Sequence, residues 1–252
     1  MRGGSQSGLV DTDGGCYVVK WLQNPQHRRI LINEALCSEL LKVLGVSSPS
    51  WARIHVDRTF LENNPQVRIQ AGPGYAAVQP GWHFGSRFPV SPDHGLVFDA
   101  LPSDAVGRVS NLWDFVKVLV FDVWVDNRDQ RQAVFFRVPA GGYRVAMIDN
   151  GFGLGFDGVE WSFGSSPVRR QSPWLPDLHA SAHTIEYHEK IIAAINQVTR
   201  DDLARMLKLV PLEWIEDDDA LLSRQFDRLI DRASRLSGLM VATRDYLRNL
   251  RC

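Results

Sequence analysis

The chain has 252 residues, with 28 lysines and arginines against 29 aspartates and glutamates, so its formal net charge is −1. At 44% hydrophobic residues it can build a real core, as one large domain or two small lobes, and wholesale disorder is excluded. A charge near zero excludes a protein that coats nucleic acid non-specifically, while leaving room for a local basic groove. Cys16, Cys37 and Cys252 form neither a zinc spacing nor an even disulfide set, which points to a reducing, cytoplasmic compartment. No membrane span is expected. The most apolar stretch, Phe115 to Val125, is broken by Lys117 and Asp122, and the amino terminus lacks the apolar core of a signal peptide.

In chain order, Leu9-Val10 and Cys16 to Trp21 flank the turn cluster Asp11-Thr12-Asp13-Gly14-Gly15, which predicts a hairpin. Asn24-Pro25 reads as a cap and first turn for a helix from about Gln26 to Leu44, stopped by Gly45. Its apolar row Ile30–Glu34–Cys37–Leu41 carries Glu34 at the edge and Asn33 inside the apolar arc. Residues 45–110 predict short strands at Trp51 to Val56 and Val67 to Ala71, an ordered loop at Gly81 to Pro89, and a strand at Gly95 to Pro102 entering a linker. Ser110 reads as the cap of a broadly apolar second helix that ends at Asp126-Asn127-Arg128-Asp129. Strands Ala133 to Val138 and Tyr143 to Asp149 follow, joined by Pro139-Ala140-Gly141-Gly142. Beyond about residue 180 the pattern is helical: Ile185 to Val198, Asp201 to Leu209 and about Asp218 to Leu250. This order predicts an α+β arrangement with a cleft between a strand-rich amino lobe, 1–102, and a mostly helical carboxy lobe, 103–252.

Two constellations carry candidate chemistry. Lys20 ends a strand and Glu34 rides the buried edge of the next helix; a buried cation and a buried carboxylate are each costly alone and tend to pair. Strand lysine followed by helix glutamate is the pair that holds nucleotide phosphates in protein kinases, and the simpler alternative is a structural salt bridge. In the second, a hairpin symmetric about Pro139 to Gly142 sets Gln132 opposite Asp149 and brings Asp129 to the same end, where two carboxylates and an amide could hold Mg²⁺ and orient a hydroxyl. The alternative is ordinary turn aspartates. Gly3-Gly4-Ser5-Gln6-Ser7 offers backbone N–H groups and hydroxyls to a phosphate, but a Gly/Ser start is weak by itself. Weaker still are His83 and Arg87 in the Gly81–Pro89 loop, the pair His179 and His183 as zinc ligands, and the basic row Arg224, Arg228, Arg232 and Arg235, which reads more simply as a solvated face.

Arg2-Gly3-Gly4-Ser5-Gln6-Ser7, Tyr17-Val18-Val19-Lys20, Asn33-Glu34, Phe121 to Asp129 and Met147-Ile148-Asp149-Asn150-Gly151 together resemble a HipA-like kinase domain over the whole chain. The resemblance is to the short type without the extra amino-terminal subdomain of HipA toxins. It implies a bilobal protein-kinase-like fold, related to phosphoinositide kinases, that uses ATP and Mg²⁺. By resemblance, Gly3, Gly4, Ser5, Gln6 and Ser7 cover the phosphates, and Lys20, paired to Glu34, contacts them. Leu96, Phe98 and Leu101 form the hinge against adenine, Asp129 is the catalytic aspartate, and Asp149 binds metal. The family's metal-binding Asn, five residues past the catalytic Asp, is Val134 here, and Gln132 on the same strand face is the candidate substitute. The expected activity is phosphoryl transfer to a hydroxyl on a protein substrate or partner. The rivals are a nucleotide-binding pseudokinase acting as scaffold or regulator, a kinase-fold AMP transferase, and a plain interaction module.

Overall fold

The computed structural model of the protein describes residues 4–91, 95–164 and 182–249. The first part is built on a four-stranded antiparallel sheet in the order β1-β2-β6-β3. Strands β1 (Gly8–Thr12) and β2 (Gly15–Lys20) form the expected hairpin, with Gly8 opposite Val19 and Thr12 opposite Gly15. The Thr12 hydroxyl closes the turn by donating to Gly15 O at 2.7 Å. Residues 81–87, expected as loop, are instead the inner strand β6 (Gly81–Arg87), paired to β2 on one side and to β3 (Trp51–Val56) on the other. Its glycines hid it: Gly85 is there because a Cβ would lie 2.4 Å from Ile54 Cγ1, a close approach that only glycine permits in a sheet. Between β3 and β6 lie a short helix α2 (Arg58–Asn63), capped by Asp57, and the hairpin β4 (Arg68–Ala71)–β5 (Gly74–Ala77).

Helix α1 (Arg29–Val43) starts later than the proline signal suggests. Asn24 Oδ1 accepts from Gln26 N at 2.9 Å, a local turn rather than a helix cap, and His27 holds φ at 144°, so helical geometry begins only beyond it. Gly45, at φ 61°, ends the helix as expected. Rather than one buried face, α1 has nearly its whole surface covered, Asn33, Glu34 and Ser38 included. It packs against β6, and also against α6 (Arg200–Leu207) and α7 (Leu212–Ile215) from the far end of the chain. Arg29 fixes that contact by donating from Nε to Asp218 Oδ2 at 2.8 Å.

Strand β7 (Val97–Phe98) and a one-turn helix α3 (Ser103–Val106) lead to α4 (Asp114–Val125). Ser110 does not cap α4; its hydroxyl donates to Tyr143 O, and the helix starts at Asp114. Strands β8 (Gln132–Arg137) and β9 (Tyr143–Ile148) complete a second antiparallel sheet, β7-β8-β9. Its register is one residue off the symmetric expectation: Arg137 faces Tyr143 and Gln132 faces Ile148, not Asp149. The loop holds five residues, because Gly141 and Gly142, both at positive φ, add a turn in which Gly141 N donates to Val138 O. The helices α5 (Ala182–Ile195), α6, α7, α8 (Asp219–Ser234) and α9 (Leu236–Asn249) follow; the expected single helix from 218 to 250 is broken at Arg235.

Helix α4 is the hub of this part, packed against α5, α8 and α9, with Trp124 Nε1 donating to Leu229 O at 3.0 Å. One apolar core runs from α1 through α4 to α9, and a smaller one, including Val19, Trp21, Ile54 and Ile69, closes the first sheet against β4. The molecule is thus a mixed α/β protein with antiparallel sheets. Among the described residues, no helix is long and apolar enough to cross a membrane.

Candidate active site

Lys20 is the last residue of β2 and Glu34 sits in the second turn of α1, so strand end and helix meet at their side chains. Lys20 Nζ lies 2.5 Å from Glu34 Oε1 and 2.8 Å from Asp149 Oδ1, with both Lys20 and Glu34 buried. Asp149 comes from the middle of the chain, one residue past β9, and holds φ at 59°, a left-handed conformation that aspartate tolerates better than most residues. The positive φ of this turn falls on Asp149 and not on Gly151. Gly151 is needed for space, since a Cβ there would meet Ile30 Cγ2 at 2.7 Å.

Three charges in one crevice set one another's ionisation. Burial opposes the Lys20 ammonium, but Glu34 and Asp149 together outweigh it and hold its pKa above the ordinary value. Burial, with Asp149 alongside, pushes Glu34 up against the pull of Lys20. For Asp149 burial acts upward too, but Lys20 prevails and its carboxyl stays below the usual range.

Gln132 Nε2 donates to Asp149 Oδ2 at 2.8 Å despite the shifted register, because the long amide spans the extra step. The same loop is organised by a pair that sequence reasoning missed. Arg131 and Asp122 form a buried ion pair, and Arg131 Nη1 also donates to Ile148 O at 3.1 Å and to Asn150 Oδ1 at 2.7 Å, straddling Asp149. The signal was legible: an aspartate inside the most apolar helix requires a buried partner. Asn127 supports both sides, donating from Nδ2 to Asp122 Oδ1 and accepting from Asp129 N, each at 3.2 Å.

A cleft of about 200 Å³ opens over Lys20, Glu34 and Asp149. Ser5 and Ser7 line it, as do Phe84, Phe88 and Met147 among its apolar walls. Of the remaining glycine-rich calls, Gly3 lies outside the described residues and Gly4 sits beside the Gln26 side chain. Gln6 is turned away onto β4, accepting from Gln70 N at 2.5 Å. The hinge calls shift by one position: Val97 lines the cleft, whereas Leu96 is exposed, Phe98 packs edge-on against Tyr143, and Leu101 is buried in the large core. Period-two alternation in β7 explains the change of face. Asp129 lines an adjoining hollow of about 330 Å³ on the other face of β8, with Asp99 and Phe115; Gln132 and Ile148 border both spaces. Val134, in the place of the expected asparagine, is part of the cleft wall.

The other candidates separate clearly. His83 is wholly buried, its Nδ1 accepting from Leu22 N at 2.9 Å, and burial pushes its pKa down to about 4, so it is structural. Arg87 does reach the cleft rim. His179 lies outside the described residues, and His183 falls on α5. Arg232, expected on a solvated face, is buried.

These elements, in this order, belong to a known class of kinases: residues 10–238 match the family model described as HipA-like kinase. The chain belongs to that family. Among solved structures, it is similar to HipA of Shewanella oneidensis MR-1, from a toxin–antitoxin system complex with HipB and its operator DNA, at a TM-score of 0.54 and 13% identity. The match covers 97% of this chain and 66% of that one, so the chain spans just under two thirds of the HipA polypeptide. A comparison with curated protein sequences finds no match.

Proposed function

We propose that the protein is an ATP- and Mg²⁺-dependent phosphotransferase acting on a hydroxyl of a protein acceptor, with the cleft as its nucleotide site between a strand-rich amino lobe, 1–102, and a helical carboxy lobe, 103–252. The observation that carries this reading is the meeting of Lys20, Glu34 and Asp149, from two distant stretches of the chain, in one cleft. Ser5, Ser7 and Lys20 line it where phosphates would lie, and Val97, Phe84 and Met147 give an apolar wall suited to a base.

The donor set suits a hard cation. Asp149 and Gln132 offer oxygen once the Gln132 amide rotates. That fits an ion shared between one or two protein oxygens and substrate phosphates, which is how Mg²⁺ is usually held. When bound there by Asp149 and Gln132, Mg²⁺ would neutralise phosphate charge. Lys20 would do the same from the opposite side, and Asp129 would orient the acceptor hydroxyl and take its proton as the new oxygen–phosphorus bond forms and the bond to ADP breaks.

Incubation with Mg·ATP labelled on the γ-phosphate, followed by intact-mass measurement of the chain and of candidate acceptors, tests this. The expected result is transfer of one phosphate, reduced about 10²- to 10⁴-fold by Asp129→Asn. A gain of AMP with label on the α-phosphate would replace phosphotransfer by nucleotide transfer. ATP-dependent thermal stabilisation without any transfer would favour the pseudokinase motivated by Val134, and no stabilisation at all would remove the nucleotide site.

A further inference from the structure

A basic centre separate from the cleft lies where α8 meets the end of α4. Arg228 and Arg232 stand one turn apart on α8, Arg235 follows at its end, and the three line a hollow of about 360 Å³ with Ser162 and Phe163. Arg232 is the built-in member. It is buried, with Nε and Nη2 donating to Val123 O at 3.1 and 3.0 Å and Nη1 to Gly164 O at 2.8 Å, and its guanidinium carbon lies 5.3 Å from the Phe163 ring centre. Arg128 stands behind the same segment, donating to Ser162 O at 2.6 Å.

The positive charge here is only half matched. Arg128 pairs with Asp126 at 3.0 Å, Arg232 is 3.8 Å from the same aspartate, and Arg235 pairs with Asp231. Arg228 makes no hydrogen bond or ion pair among the described residues. Among the described residues, four guanidiniums therefore face two carboxylates. Burial lowers the pKa of Arg232, and Arg235 and Arg128 add repulsion against the pull of Asp126, so the cluster is electrostatically unfinished.

We propose that Arg228, Arg232 and Arg235 form a binding site for a phosphate monoester. A dianion supplies the two missing negative charges, and arginine forks match phosphate oxygens in pairs. The pocket stands whether or not the chain transfers phosphate. Two sources share this chemistry. One is a phosphorylated ligand from outside. The other is Ser162, an exposed residue that lines the hollow with the arginines: its Oγ would form the bond to the γ-phosphorus of ATP as the bond to ADP breaks and the hydroxyl proton passes to water. Only this second source rests on the proposed phosphotransfer.

The test titrates inorganic phosphate into the whole protein by calorimetry at constant ionic strength. Arg228→Gln and Arg235→Gln are the variants, because Arg232 also holds backbone carbonyls and its loss would disturb folding. Saturable binding in the wild type, weakened about 10- to 100-fold in each variant, is expected from the loss of charge-assisted hydrogen bonds. No saturable binding, or binding unchanged in both variants, overturns the site. Prior treatment with Mg·ATP separates the sources. Loss of free-phosphate binding in the wild type but not in Ser162→Ala assigns the pocket to phosphoserine 162, and binding retained in both assigns it to an external phosphate.

Discussion

Replacing Lys20 by methionine keeps a long apolar stem at the end of β2 and removes only the ammonium that Glu34 and Asp149 share. Glu34 is then a buried carboxylate without its counter-ion, beside a second carboxylate whose side chain is 29% exposed. Breaking a buried pair from one side costs about 3–5 kcal/mol, and nearly all of that falls on Glu34, since Asp149 retains solvent and the Gln132 amide. The loss should depend on pH. A carboxyl whose folded pKa is raised, as burial already raises Glu34, favours the fold below its unfolded pKa of about 4.5 and loses that advantage as pH rises toward the folded value. The deficit of Lys20→Met is therefore small near pH 4.5 and larger near pH 8. Urea unfolding followed by circular dichroism at both pH values measures it, and Lys20→Met/Glu34→Gln should recover more than half of the loss. A deficit below about 1 kcal/mol at pH 8, or no recovery in the double variant, would show that the three groups are not energetically coupled and would refute the reasoning.

Arg131→Leu strands Asp122 in the core of α4 and frees the Ile148 carbonyl and the Asn150 side chain on either side of Asp149. It should lower stability by about 3–5 kcal/mol in chemical denaturation, with much of the loss regained in Asp122→Leu/Arg131→Met. Gly153→Ala places a Cβ 2.6 Å from the buried Cys37 Sγ and 3.1 Å from Asn150 O, an overpacking that should cost about 1–3 kcal/mol and appear as a lower melting temperature. His83, with its folded pKa near 4 against 6.5 unfolded, makes the unfolded chain the better proton acceptor between these values. Stability should fall by roughly 3 kcal/mol as pH drops from 6.5 to 4, and the slope in urea titrations should flatten in His83→Asn.

Much of the fold was legible where local chemistry decides it. The Asp13-Gly14 turn, the stop at Gly45 and the β8–β9 pair are written in residues that allow few alternatives. Strand β6 was hidden because its glycines and aromatics make sense only against Ile54 and Tyr17 on neighbouring strands, a long-range fact. The one-residue register error came from counting the loop as four residues when paired positive-φ glycines make it five. In the site, Lys20 and Glu34 could be named because a charge at the edge of a buried face needs a partner, and Asp149 because a hairpin returns it to the end of the ladder where Asp129 lies. The lining between them could not, since Val97 rather than Leu96 or Phe98 faces the cleft through a strand of two residues, too short to show alternation.

Asn33, the neighbour of Glu34, donates from Nδ2 to Gly151 O at 2.7 Å and accepts from Trp161 Nε1 at 2.8 Å. The helix that presents the glutamate is thus buttoned to the chain on both sides of the loop beyond Asp149, while Arg29 rivets its first turn to Asp218. A swing of this helix, which switches many kinases by making and breaking the lysine–glutamate pair, would have to undo all three fastenings together. Any control exerted at this site would then have to come by another door, through what enters the cleft.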